Sequence, residues 1–250
     1  MSPEQPGPAP DIAFWFDPVC PFAWMTSQWV RQVRAQRAYV VEWRLISLRL
    51  LNKDVDYDAQ FPPEYEAGHT AGLRLLRVAS RVRDEHGQDG LDAFYAACGA
   101  HVFDTPPEEG VEEQQVREQR GTREYAAAVL ATAGLPEELA DAVEDTARDA
   151  GIQAETDQAL ELTGRDVGTP IICFQPPAGV AFFGPVISRL PSDEDAVRLW
   201  DHVVGLAGFA GFAELKRSLR ERPQLRSMGV EPGGTGVTED WHGGSRRQHR

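Results

Sequence analysis

The chain has 250 residues, enough to bury a core without disulfide staples, and its 25 basic against 39 acidic residues give a net charge of −14. That charge repels phosphate backbones and anionic lipid, and no stretch approaches the roughly 20 apolar residues that span a bilayer, so neither nucleic acid nor a membrane is expected as a partner. The opening MSPEQPGPAP has no basic region followed by an apolar run, and the cysteines at 20, 98 and 173 form neither a disulfide framework nor a zinc-ligand spacing, which predicts a cytoplasmic protein whose cysteines are reactive or simply buried.

Residues 1–10 carry four prolines and are expected to be an unstructured arm. DIAFWF at 11–16 is β-branched and aromatic, bounded by Asp17-Pro18, and reads as a strand meeting a turn. From Trp24 to Arg37, Trp24, Met25, Trp29, Val30 and Val33 share one side and arginines the other, which predicts a helix with Cys20 at its mouth. YVVEWRLISL, Tyr39 to Leu48, alternates as a second strand would. From about 62 to 163 the period is helical, with Leu73, Leu76, Val78 and Val82 in one segment and Leu91, Phe94 and Tyr95 in the next. Further helices are expected near 112–133, 136–149 and 151–163, punctuated by Gly134, Pro136, Gly151 and Gly164. Strands follow at Ile171 to Phe174 and Val180 to Phe183, joined by the turn-rich QPPAG. An amphipathic helix from Asp193 to about Leu206 comes next, then a shorter one over 211–220 and an unstructured tail at 221–250. The order is β-α-β, a helical block, then β-β-α. It predicts an α/β fold in which 11–51 and 166–220 form one domain and 52–165 a helical insertion.

A thiol attacks only as thiolate, and its ordinary pKa lies near 8.5. At a helix start, Cys20 faces unpaired amide N–H groups and the positive end of the helix dipole, which predicts a lowered pKa. Pro21 suits the first helical turn, where its missing N–H costs nothing. The competing reading is a half-buried cysteine at a strand end. Val167-Gly168-Thr169-Pro170 leads into the third strand, and a proline opening a strand beside such a site is a candidate cis peptide. Thr169 would then offer its N–H and C=O to a bound thiol or peptide.

This arrangement resembles the thioredoxin fold of the DsbA family. More narrowly, FWFDPVCPFAW, SLRLLN, PPEYEAG, VGTPII, GVAFFGP and GFAELKR, in order over about residues 11–220, resemble its actinobacterial mycothiol-dependent nitroreductase branch. The resemblance implies a cytosolic enzyme that uses the small thiol mycothiol, without metal or flavin, and that often forms a homodimer. It also implies Cys20 as nucleophile, Pro170 as the cis-proline after Thr169, and Pro21, Phe22 and Ala23 as the rest of the active turn. Phe22 stands where the family usually has Trp. Asn52, Tyr65 and His101 match positions lining the substrate cleft; read by themselves, they are equally a strand-end turn residue, a first-turn helix residue and a helix C-terminal residue.

The departure is Ala23, which occupies the place of the family's resolving cysteine. An intramolecular disulfide cannot close locally, so a second small thiol would have to release a mixed disulfide at Cys20. Three functions follow: monothiol reduction of a small electrophilic or aromatic substrate, a non-redox thiol-dependent isomerase or transferase, or a binding module that has lost catalysis. Cys98, in a helix with Phe94 and Tyr95, and Cys173, in the third strand, read as apolar core. Glu108-Glu109 and Glu112-Glu113 read as solvated rather than metal-binding, His69, His86 and His202 lack a ligand partner at helical spacing, and Trp15, Trp43 and Trp200 read as core or wall.

Overall fold

The computed structural model describes residues 9–57, 63–106, 110–217, 219–231 and 233–240. The expectations for residues 1–8, for Glu108-Glu109 and for the end of the tail, 241–250, fall outside them.

A four-stranded sheet organises the chain. β1 (Ile12–Phe16) pairs in parallel with β2 (Val41–Leu45) and antiparallel with β3 (Ile171–Phe174), which pairs antiparallel with β4 (Val180–Phe183), giving the order β2-β1-β3-β4. All five residues of β1 are buried, because helices cover both faces of this central strand. On one face Ile12, Phe14 and Phe16 join the main core with α1 (Pro21–Gln36) and α7 (Asp193–Ala207). There Trp29 meets Trp200 edge-on at 5.3 Å, and its indole N–H donates to Ala196 O at 2.9 Å. On the other face Ala13, Trp15, Ile171 and Cys173 pack with Ala159 of α6 (Asp149–Thr163). This β-α-β and β-β-α arrangement is a thioredoxin fold.

The insertion is helical, as expected, and the two segments read over Leu73–Val82 and Leu91–Tyr95 are present, while the next two helices are corrected. α3 (Pro63–Phe103) is two helical segments meeting at Gly87, whose φ of 68° and ψ of −163° leave the helical region. The helix expected over 112–133 is broken into α4 (Glu113–Gln119) and α5 (Arg123–Thr132), because Thr122 caps α5 by accepting from Tyr125 N–H at 3.3 Å. The helix expected over 136–149 is 3₁₀ (Glu137–Glu144, Thr146–Arg148).

The insertion also closes the sheet edge. Trp43 N–H of β2 donates to Gln88 Oε1 at 2.8 Å and Leu45 N–H to Glu155 Oε2 at 3.1 Å, so side chains from α3 and α6 occupy the outer ladder of the edge strand. After Leu45 the chain turns into the one-turn helix α2 (Leu48–Leu51), capped by Ser47, where the sequence predicted strand as far as Leu48.

Beyond α7 two expectations give way. No helix forms over the described residues of 211–220. From Leu219 the chain makes a ribbon, β5 (Leu219–Glu221) with β6 (Thr238–Asp240), where an unstructured tail was predicted. The anchor is Leu225, 3% exposed in the main core, beside Gln224 N–H, which donates to Ser188 O at 2.7 Å.

Trp24 of α1 packs against the insertion at Gly99 of α3. A Cβ there would lie 2.1 Å from the Trp24 ring. An exposed helical Gly→Ala exchange gains stability, whereas this one must displace an indole. Gly99→Ala is therefore expected to lower stability by about 1–3 kcal/mol, read as a lower urea midpoint; an unchanged or raised midpoint would contradict the contact.

Candidate active site

β1 ends at Asp17-Pro18, and the turn that follows is built by Asp17 itself. Its Oδ1 accepts from Val19 N–H at 3.0 Å and its carbonyl from Cys20 N–H at 3.0 Å. Cys20 is the N-cap of α1, at φ −87° and ψ 114°, with Pro21 opening the helix. Its sulfur takes the part a serine or aspartate oxygen takes in other caps, accepting from Ala23 N–H at 3.4 Å.

The pairing of β1 with β3 sets Trp15 against Ile171, so the residues just before β3 lie beside the turn just after β1. The Thr169–Pro170 peptide is cis, and the Cys20 thiol donates to Thr169 O at 3.5 Å. The Thr169 hydroxyl is buried and has no hydrogen-bond partner beyond its approach to the sulfur. Thr169 and Pro170 therefore meet Cys20, Pro21, Phe22 and Ala23 at one place. Cys20 is 6% exposed, Phe22 9% and Ala23 fully buried.

Burial overturns the expected acidity of Cys20. Loss of hydration pushes the thiol up to about 11; the Thr169 side chain and the N–H groups of Ala23 and Phe22 pull the other way, and the Asp17 charge adds to the rise. The helix mouth is present, but two weak amide contacts do not replace water around a thiolate. At neutral pH the resting sulfur carries its proton.

Asp17, read from the sequence as the polar half of an Asp-Pro turn, is a buried carboxyl at the base of the active turn. It is wholly buried. Loss of hydration raises its carboxyl from 3.8 to about 7, against the pull of the Leu48 and Val19 N–H groups. Its Oδ2 accepts from Leu48 N–H at 2.8 Å, which ties the active turn to the start of α2.

α2 carries the next group. Asn52 is its C-cap, 2% exposed, and donates through Nδ2 to Leu48 O at 2.8 Å. Asn52 also interacts with Tyr57, whose hydroxyl lies 2.8 Å from His69 Nδ1. The His69 ring meets Tyr65 edge-on at 6.0 Å, and Arg117 lies over Tyr65 at 5.2 Å. Asn52 and Tyr65, predicted separately, are thus joined by two residues the sequence did not single out for a site. His69 found its partner in a tyrosine outside its own helical face, so helical spacing could not reveal the pair. His101 makes contacts of its own: its Nε2 lies 2.8 Å from Thr132 Oγ1 of α5 and its ring meets Tyr125.

The other thiols are remote from this chemistry in character. Cys98 and Cys173 are buried and free, and burial raises both pKa values. Among the described residues no three His, Cys, Asp or Glu side chains converge as metal ligands would, and no helix is long and apolar enough to cross a membrane.

The model of one protein family, Rv2466c-like, described as mycothiol-dependent nitroreductase Rv2466c, matches residues 19–217, from the active turn to the end of the GFAELKR segment. The chain belongs to the Rv2466c-like family. The family is one of thiol-dependent oxidoreductases named for mycothiol, as the sequence resemblance implied. "Uncharacterized protein Rv2286c" of Mycobacterium tuberculosis is 29% identical over 210 residues, covering 82% of this chain and 81% of that protein. A crystal structure from Pseudomonas syringae described as a "putative protein-disulfide isomerase" superposes with a TM-score of 0.46 at 16% identity, over 78% of this chain and 92% of that one.

The buried carboxyl makes a sign-definite prediction. Because the folded state holds the Asp17 proton more tightly than the unfolded chain, its contribution is full below 3.8 and is lost as pH rises through about 7. Asp17→Asn abolishes that loss. Urea midpoints of variant and wild type are expected to move in the variant's favour across this range, and a constant difference would contradict it.

Proposed function

We propose that this member of the Rv2466c-like family is a monothiol, mycothiol-dependent reductase of a small electrophilic, aromatic substrate, with Cys20 as the only reacting protein thiol. The observation that supports it is the pairing of the Cys20 sulfur with Thr169 O while a buried alanine fills position 23. In this reading Cys20 and one mycothiol thiol give up two electrons and two protons to the substrate and join as a mixed disulfide. A second mycothiol attacks that disulfide, releases Cys20 and leaves as mycothiol disulfide, so each turnover oxidises two small thiols. Pro21, Phe22, Thr169 and Pro170 line the sulfur, and Asn52, Tyr65 and His101 bind the small thiol or the substrate. Neither a metal nor a flavin enters the cycle. The same reading assigns the protein to the cytoplasm, acting as a homodimer, with no nucleic acid or membrane partner.

Ala23 also favours a second reading, a thiol-dependent isomerase or transferase, since an isomerisation needs no resolving step. Thiol consumption separates the two. Reduction uses two thiols per product, whereas isomerisation requires the thiol and leaves its amount unchanged.

Two experiments test the proposal. Cys20→Ser is expected to reduce turnover to the uncatalysed level, and wild type incubated with mycothiol disulfide, which releases one mycothiol on exchange, is expected to gain one mycothiol mass, reversible by reductant, on the peptide containing Cys20. Full activity in Cys20→Ser would end this reading. Ala23→Cys is expected to form a reducible disulfide with Cys20 and to change the cycle from monothiol to dithiol, so that the mixed adduct no longer accumulates. An introduced thiol that stays free under oxidising conditions would remove Ala23 from the resolving position.

A further inference from the structure

α2 is a single turn of four residues, too short to hold its own shape, yet its C-cap is Asn52 of the candidate site. Its place is imposed from outside. At the N-terminal end Asp17 Oδ2 accepts from Leu48 N–H at 2.8 Å, which registers α2 against the active turn. At the other end Asn52 O accepts from Val55 N–H at 2.9 Å, and the chain bends back to deliver the buried Tyr57.

Two side chains cross from this segment to the first turns of α3. Tyr57 Oη lies 2.8 Å from His69 Nδ1, and the same hydroxyl is hydrogen bonded to the Asn52 side chain. Arg49 of α2 lies over the Tyr57 ring at 5.0 Å and pairs with Glu66 at 3.2 Å. Tyr65 and His69 are four residues apart on one helical face, where their rings meet edge-on at 6.0 Å. On Tyr65 itself, Arg117 of α4 lies over the ring at 5.2 Å and donates to Glu64 O at 3.0 Å. The Arg49–Glu66 pair is open to water and fixes little. The Tyr57 hydroxyl is the junction, since it touches Asn52 on one side and the helix that carries Tyr65 on the other.

We propose that Tyr57 and His69 are positioning residues for the small thiol: their hydrogen bond sets the spacing between Asn52 and Tyr65 at which a thiol is held with its sulfur toward Cys20. The inference rests on the reading that Asn52 and Tyr65 bind the small thiol of the monothiol cycle, and it adds the pair that fixes them. Leu48 stays tied to Asp17 whatever happens at Tyr57, so loss of the pair misplaces the incoming thiol and leaves Cys20 where it is. Recognition is lost while the intrinsic reactivity of Cys20 is kept.

The test compares two reagents that each leave a disulfide on Cys20 of the full-length protein, followed by the mass of the Cys20 peptide. Mycothiol disulfide uses the thiol site, whereas methyl methanethiosulfonate, small and uncharged, does not. Tyr57→Phe, which keeps the ring under Arg49, and His69→Leu are each expected to lower the ratio of the first rate to the second about tenfold, the scale of one lost hydrogen bond. His69→Asn is expected to recover most of the ratio, because its amide stands where Nδ1 stands and bonds a hydroxyl in either direction. The double variant Tyr57→Phe/His69→Leu is expected to fall no further than either single one. A wild-type ratio in Tyr57→Phe overturns the proposal, as does a fall of both rates together. So does a loss in His69→Asn as deep as in His69→Leu, or additive losses in the double variant. If the His69 variants do not fold, Tyr57→Phe decides alone. None of these arms reads turnover. An active Cys20→Ser enzyme sinks the monothiol cycle and leaves the ratios standing, whereas unchanged ratios sink the pair and leave the cycle standing.

Discussion

Dehydration of a single turn governs this molecule. A thiol and a carboxyl three residues apart are both sealed under helices, and each loses the water that would solvate its charge. The helix mouth partly compensates at Cys20, where the Ala23 and Phe22 amides and the Thr169 side chain stabilise the anion. A helix end offers partial charges on a few N–H groups, and its influence falls off within one turn. Desolvation of a buried anion is larger, so the thiol remains protonated even though every local feature that lowers a cysteine pKa is in place.

That sealing is a product of the whole architecture. β1 can feed the turn only because its five residues are covered on both faces, and β3 delivers Thr169 to the sulfur only because it runs antiparallel beside β1. The helical insertion supplies the lid. Gly72 lets α3 approach the Asp17 carboxyl, Gly99 lets it receive Trp24, and Gln88 and Glu155 anchor the same block to the edge of β2. The insertion is therefore part of the site's electrostatics, since moving it outward would admit water to both ionisable groups.

Much of this was legible in the amino-acid order. The third and fourth strands, Ile171–Phe174 and Val180–Phe183, were readable to the residue because proline and glycine bracket them on both sides. α1 and α7 announced themselves by a Trp-rich stripe and an acidic first turn. α2 did not, because four residues carry no period and its cap depends on Ser47 and on a carboxylate from thirty-one positions earlier. The tail was misread because one leucine, Leu225, inserts into a core that composition alone cannot reveal. The acidity of Cys20 failed for the same reason: motif chemistry is local, while hydration depends on residues brought in from α3 and β3. Asn52 and Tyr65 were singled out through resemblance alone, and the Tyr57–His69 link between them lies in tertiary contacts.

Ala23 stands where the family has a resolving cysteine, and it is packed into the turn. The residue is fully buried, its amide is one of the groups that hold the Cys20 sulfur, and a methyl group fills the place where a second sulfur would stand. In a dithiol site the second cysteine limits the lifetime of any mixed disulfide by attacking it at once. In the proposed cycle that lifetime is set by the arrival of another small thiol, and an unguarded thiolate would be exposed to adventitious adducts between turnovers. A high resting pKa answers that hazard, because a protonated sulfur attacks slowly. In the proposed monothiol cycle the substitution at 23 makes Cys20 dependent on a thiol from solution, and burial of the sulfur keeps it quiet until that thiol comes.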